Sequence, residues 1–232
     1  MSFVRVRLNL EEALRLNPNF VLAHVNLCLL QVELGDESGL GRCQRAVDLQ
    51  PNWAQTYYWL GTAYAKAGRP WDAAQASAHA AELDPNNVEY HYQAALHAQY
   101  VRDWSSSLEH VNQVRARVVN YKELGFVRGY ALQMLRRNEE AVVEYKRQLA
   151  ISPNHAQVSF NIGYALMTLG RCAEANPYFE NTLKIRPEYT EARHYLDRCR
   201  RLLEPAPTRS EVRAAEKAAP RAARARPARK RR

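Results

Sequence analysis

The sequence predicts an all-α protein, a solenoid of helix pairs stacked one after another. Three observations carry that expectation. Pro18, Pro51, Pro85, Pro153 and Pro187 are separated by 33, 34, 68 and 34 residues, so the gap of 68 is two periods with Val119 in place of one proline. Each proline closes a similar phrase: LRLNPN, VDLQPN, AELDPN, AISPN and KIRPE. Between prolines, apolar residues recur at helical spacing, break at a short turn and resume as a second helix. The 9 glycines in 232 residues also suit helices and tight turns better than a turn-rich β architecture.

The elements follow in order. Residues 1–18 hold a lone helix with the pattern of the second half of a unit, ending LEEALRLNP. Five units then occupy 19–51, 52–85, 86–119, 120–153 and 154–187. In 52–85 the first helix carries Tyr57, Leu60, Gly61 and Tyr64. Gly68 makes the turn, Pro70 starts the second helix where its missing N–H costs little, and Ala73 and Ala80 follow. The unit at 154–187 repeats the phrase with Ile162, Gly163, Leu166, Gly170, Ala175 and Phe179; that at 120–153 has Gly129, Leu132, Ala141 and Tyr145. Small residues at these slots let paired helices approach closely. Ala94, Ala95 and Ala98, with Arg102 at the turn, predict looser packing in the third unit, and the first unit is one residue short between its helices. Residues 188–204 form an amphipathic capping helix, and 205–232 are an Arg/Ala/Pro-rich segment expected to be disordered.

This pattern resembles the tetratricopeptide repeat family, whose units read W-x2-L-G-x2-Y, then A, then P, and the likeness extends over residues 8–204. The resemblance implies a right-handed α-solenoid of about five helix pairs with flanking single helices. It also implies a noncatalytic scaffold whose first helices line a concave groove for a protein or peptide partner. Three columns at 34-residue spacing fall on that face. Tyr58, Tyr92, Phe126 and Phe160 are aromatic; four residues on stand Thr62, Leu96, Tyr130 and Tyr164; three residues earlier stand Gln55, Glu89, Glu123, Gln157 and Glu191. The expected site is an aromatic strip edged by acceptors, suited to a segment with apolar anchors and basic neighbours. The competing expectation is that the rings pack between adjacent first helices. The two-carboxylate clamp of chaperone-binding members is not expected, because Asn26 alone fits it and the Glu column has the wrong sign.

The net charge of +9 belongs to the tail. Residues 205–232 hold ten Lys or Arg and two Glu, which is +8 and leaves +1 for the rest. Arg221, Arg224, Arg226, Arg229, Lys230, Arg231 and Arg232 make the tail the one candidate surface for nucleic acid or an acidic partner. A third reading makes the chain a regulatory piece of a larger repeat-containing enzyme such as a glycosyltransferase, because it opens halfway through a unit. No catalytic motif, cofactor motif or metal-ligand set is visible, and only His24 and Cys28 share the i, i+4 spacing of paired ligands. The histidines read as structural. Cys28, Cys43, Cys172 and Cys199 lie far apart and read as reduced thiols, which, with no signal core at the start, points to the cytoplasm. No apolar run approaches the ~20 residues of a membrane span.

Overall fold

The structure, a computed structural model, describes residues 3–205 and 208–210. Among them are twelve α-helices and no strand: α1 (Phe3–Leu16), α2 (Val21–Glu33), α3 (Leu40–Leu49), α4 (Ala54–Lys66), α5 (Pro70–Leu83), α6 (Val88–Tyr100), α7 (Trp104–Arg117), α8 (Leu124–Met134), α9 (Asn138–Ile151), α10 (Ala156–Thr168), α11 (Cys172–Ile185) and α12 (Thr190–Leu203). Each helix packs on its neighbours in sequence, so the chain is a helical repeat solenoid. The first helices of the pairs are α2, α4, α6, α8 and α10, and α12 continues their series.

The turns repeat as faithfully as the helices. The five turns within pairs each place one residue at positive φ: Gly35 (80°), Gly68 (72°), Arg102 (62°), Arg136 (64°) and Gly170 (76°). The N–H after each closes the first helix by bonding five residues back, as in Arg69 to Tyr64 O and Arg171 to Leu166 O, both 2.9 Å. Arg102 and Arg136 therefore hold a conformation that favours glycine. Between pairs, four-residue turns with proline second join α3 to α4, α5 to α6, α9 to α10 and α11 to α12, as in the bond from Trp53 N–H to Gln50 O (3.2 Å). Where Val119 replaces proline the linker is longer. Residues 118–123 separate α7 from α8, Lys122 sits at φ 44°, and Glu123 falls at the cap of α8 rather than within its first turn.

One small slot on each first helix faces one slot on the second, and their volumes trade off. A Cβ on Gly129 would stand 2.7 Å from the Tyr145 ring, and one on Gly163 2.8 Å from the Phe179 ring. Ala95 and Val111 hold these slots in the third pair, Gly61 and Ser77 in the second. In the short first pair the same slots are Cys28 and Cys43, which are disulfide-bonded with Cα atoms 5.5 Å apart. This corrects the expectation of four reduced thiols: the slots that bring helix backbones closest also bring these sulfurs within bonding distance. Cys172 and Cys199 are free and buried against each other, and burial followed by the neighbouring thiol pushes Cys199 up to about 12. With Cys28 and Cys43 bonded, the cysteines do not point to a reducing, cytoplasmic setting.

The core is not continuous. One cluster runs from Tyr92 through Tyr145 and Phe179 to Cys199, while two smaller clusters serve α2 to α5. Between them the buried residues are mostly alanine, Ala73, Ala80, Ala81, Ala94 and Ala98. No helix among the described residues is long and apolar enough to cross a membrane.

Candidate binding groove

The aromatic column forms, but its rings lean into the next unit. Residues 29 positions on, in the linkers, receive three of them. Tyr92 meets Tyr121 edge-on (5.4 Å between centroids), Phe126 stacks on His155 (5.7 Å), and Phe160 stacks on Tyr189 (4.9 Å). Tyr58 instead tilts against Tyr90 (5.3 Å). Tyr92 is only 6% exposed, so it is a core residue; Tyr58, Phe126 and Phe160 are half-buried. The packing expectation therefore holds for Tyr92, and the other three keep an edge in solvent. Tyr130 and Tyr164, also half-buried, lie beside them: Tyr130 stacks on Phe126 (6.3 Å) and meets Trp104 (5.6 Å), and Tyr164 meets Tyr195 (5.3 Å).

The polar column is likewise engaged between units, here with residues 32 or 33 positions on. Glu89 accepts from the Tyr121 hydroxyl and from Lys122, and Gln93 Nε2 donates to its Oε1 at 3.0 Å. Burial works against the Glu89 carboxylate, yet the Lys122, Tyr121 and Gln93 bonds hold it below its ordinary pKa. Burial and then Glu89 push the Tyr121 phenol well above its ordinary value, so it stays a donor. Glu123 lies 3.5 Å from His155 Nε2 and is exposed. Gln157 accepts from Tyr189 Oη–H at 2.9 Å while its own Nε2 donates to Asn161 at 3.0 Å. Gln55 is half-buried, and Glu191 is exposed beside Thr190. The column is thus chiefly a set of inter-unit ties and only at Glu123 and Glu191 an open acidic edge. Tyr121, Lys122, His155 and Tyr189 lie outside the expected site residues; a 34-residue recurrence in the linkers finds Tyr121, His155 and Tyr189, and no such signal marks Lys122.

Arg221, Arg224, Arg226, Arg229, Lys230, Arg231 and Arg232 lie outside the described residues. No group of three or more His, Cys, Asp or Glu suited to a metal occurs among the described residues. Two histidines have structural partners at one register: His24 Nε2 donates to Pro18 O (2.9 Å) and His91 Nε2 to Pro85 O (3.0 Å).

The Tetratricopeptide repeat family model matches residues 54–87 and 156–189, each a first helix, its partner and the following turn. The chain carries tetratricopeptide repeats. No match was found among curated proteins. Solved structures with the same solenoid include YrrB, described as a tetratricopeptide repeat protein with an unusual peptide-binding site (19% identity, 80% of this chain and 96% of that one, TM-score 0.71). MamA (18%, 81% and 97%, 0.66) and a MamA segment from Desulfovibrio magneticus RS-1 (15%, 73% and 96%, 0.66) are similar too. At these identities the likeness is one of fold. A shared solenoid leaves the partner open, because fold alone does not set function.

Proposed function

We propose that this chain is a noncatalytic interaction scaffold that holds a peptide-like segment of a partner protein along its first helices. The observation that carries the reading is the set of half-exposed rings, Tyr58, Phe126, Tyr130, Phe160 and Tyr164, on the first helices α4, α8 and α10. Aromatic rings with one edge wet supply contact area at small entropic cost. The peptide-binding site attributed to YrrB agrees with this use of the fold. In this reading residues 19–187 are the binding body, in units 19–51, 52–85, 86–119, 120–153 and 154–187, with 1–18 and 188–204 as end pieces.

The test is selection of random displayed peptides on the full chain, followed by affinity measurement on variants. Tyr130→Ala and Tyr164→Ala should weaken selected peptides by about tenfold, a loss near 1.4 kcal/mol, with melting behaviour retained. Peptides that bind both variants as well as the parent would remove the groove from consideration. Tyr92→Ala is unsuitable, because that ring belongs to the core.

The ten basic residues of 205–232 support a second reading, an electrostatic grip on nucleic acid or an acidic partner. It requires binding to a random-sequence duplex that falls steeply with salt and disappears on truncation at residue 204.

A further inference from the structure

Two cavities open on the solenoid at the same register, two periods apart. The first, about 480 Å³, lies where the end of α4 and start of α5 meet α6, and its walls include Ala65, Gly68, Pro70, Leu96, His97 and Tyr100. The second, about 240 Å³, lies where α8 and α9 meet α10, with Gln133, Met134, Arg136, Asn138, Tyr164 and Thr168. Adding 68 to 65, 68, 70, 96 and 100 gives 133, 136, 138, 164 and 168, so five walls correspond one to one. The position midway holds Gln99, Arg102, Trp104, Tyr130 and Met134. There Trp104 occupies the corresponding slot, its ring edge-on against Tyr130 at 5.6 Å, and Gln99 Nε2 donates to Val127 O at 2.7 Å. The slot that holds Trp104 is Pro70 in the first cavity and Asn138 in the second, neither large enough to plug it.

The two open cavities differ in chemistry. The first has no charged wall. Its His97 turns Nδ1 to the Ser77 hydroxyl at 3.1 Å, and burial lowers its pKa, so the ring is neutral. Tyr100, 80% exposed, stands as an apolar flank. The second is bordered by the exposed Arg136. Arg137 next to it pairs with Glu140 at 2.6 Å, whereas Arg136 has no ion-pair partner among the described residues. Gln133 is fixed by the Tyr145 hydroxyl at 2.7 Å, and Asn138 is buried, so the cavity around Arg136 is built from held side chains.

We infer that the two cavities together read one extended partner segment, taking a bulky apolar side chain at the Leu96–Tyr100 cavity and a carboxylate at Arg136. This rests on the groove reading and specifies its ligand. Packed helices lie 8–10 Å apart, so two steps along the solenoid span roughly 20 Å. An extended chain rises about 3.3 Å per residue, which places the two anchors about six residues apart. The middle position, where Trp104 stands, demands nothing large between them. Apolar burial in the first cavity supplies affinity, and the isolated cation in the second supplies orientation and choice of partner.

The experiment uses fluorescein-labelled twelve-residue Gly/Ser peptides carrying Phe and Asp about six residues apart, titrated against the full chain by fluorescence anisotropy. Controls replace Phe by Ser, Asp by Ser or Asp by Lys, or halve the spacing. The doubly anchored peptide should bind about tenfold more tightly than either singly anchored one, and halved spacing should remove the advantage. Ala65 and Arg136 are both exposed, so Ala65→Phe and Arg136→Glu leave the core intact. Ala65→Phe should abolish the contribution of Phe alone. Arg136→Glu should abolish that of Asp and transfer it to the Lys peptide. Equal binding of doubly and singly anchored peptides, or contributions that survive both variants, overturns the inference. If displayed peptides still require Tyr130 and Tyr164 in that case, the groove reading stands while the two-cavity register falls.

Discussion

The Tyr189 hydroxyl donates to Gln157 Oε1 at 2.9 Å, while the Tyr189 ring stacks on Phe160 at 4.9 Å. One linker residue thus grips both columns of the preceding first helix and ties α12 to α10. Tyr121 likewise donates to Glu89 and meets Tyr92 edge-on, while His155 stacks on Phe126 with its Nε2 3.5 Å from Glu123. Tyr189→Phe keeps the stack and deletes the bond, so it should cost about 1 kcal/mol, the net worth of one hydrogen bond. Tyr189→Ala should cost more and raise amide exchange in α12 selectively. Exchange in α12 that is unchanged by either variant would show that the tie is idle.

Gly163 illustrates a second constraint. Its absent Cβ would fall 2.8 Å from the fully buried Phe179 ring. Alanine normally improves a helix by about 1 kcal/mol over glycine, but overpacking a core costs about 1–3 kcal/mol. Because both partners are locked, the clash should win and Gly163→Ala should lower the urea midpoint. In Gly163→Ala/Phe179→Leu the cost of the alanine should shrink, giving a coupling energy in the double-mutant cycle. Strict additivity would contradict the proposed slot exchange.

Much of this was legible in the sequence, and the limits have physical causes. The proline register and the small slots at Gly61, Gly129 and Gly163 sufficed for the solenoid, because both are local demands on backbone geometry. The aromatic and polar columns were found by spacing alone. What spacing could not tell is that Tyr92 would be covered by Tyr121 and that Glu89 would be engaged by Tyr121 and Lys122, since those neighbours come from a linker folded back on the helix. The Cys28–Cys43 bond was hidden by the one-residue deletion in the first unit, which changes the slot separation from 16, as in Gly129 and Tyr145, to 15. The two cavities were invisible because a cavity is defined by what fails to fill it, here Pro70 and Asn138 where Trp104 fills the middle position.

His91 and His110 face each other with Nδ1 atoms 3.0 Å apart. Since Pro85 O can only accept, His91 Nε2 carries a proton, its Nδ1 accepts, and His110 Nδ1–H donates. Burial lowers both pKa values, with His91 adding to the effect on His110; Arg117 lowers and Glu109 and Asp84 raise that of His91. A histidine depressed in the folded state binds fewer protons than the unfolded chain between its folded pKa and about 6.5. Stability from this pair is therefore complete above that value and declines as pH falls below it. Urea midpoints at neutral and mildly acidic pH should diverge more for the parent than for His110→Asn. Parallel pH dependence in the two proteins would assign the loss to other groups.

The disulfide gives the last prediction. Cys28 and Cys43 are 15 residues apart, and cross-linking a loop of that size is worth about 3 kcal/mol in the chain-entropy model. Because repeat stability is the sum of local units and their interfaces, reduction should destabilise α2 and α3 first and spare the large cluster around Tyr145 and Phe179. Dithiothreitol should accelerate amide exchange in 21–49 with little change beyond α8, and Cys28→Ser/Cys43→Ser should reproduce the effect without reductant. Thiol titration of the denatured, unreduced chain should find two reactive cysteines of the four, Cys172 and Cys199. Four reactive thiols in freshly isolated protein would mean that the facing Cys slots close the first pair by packing alone, as Gly61 and Ser77 do in the second.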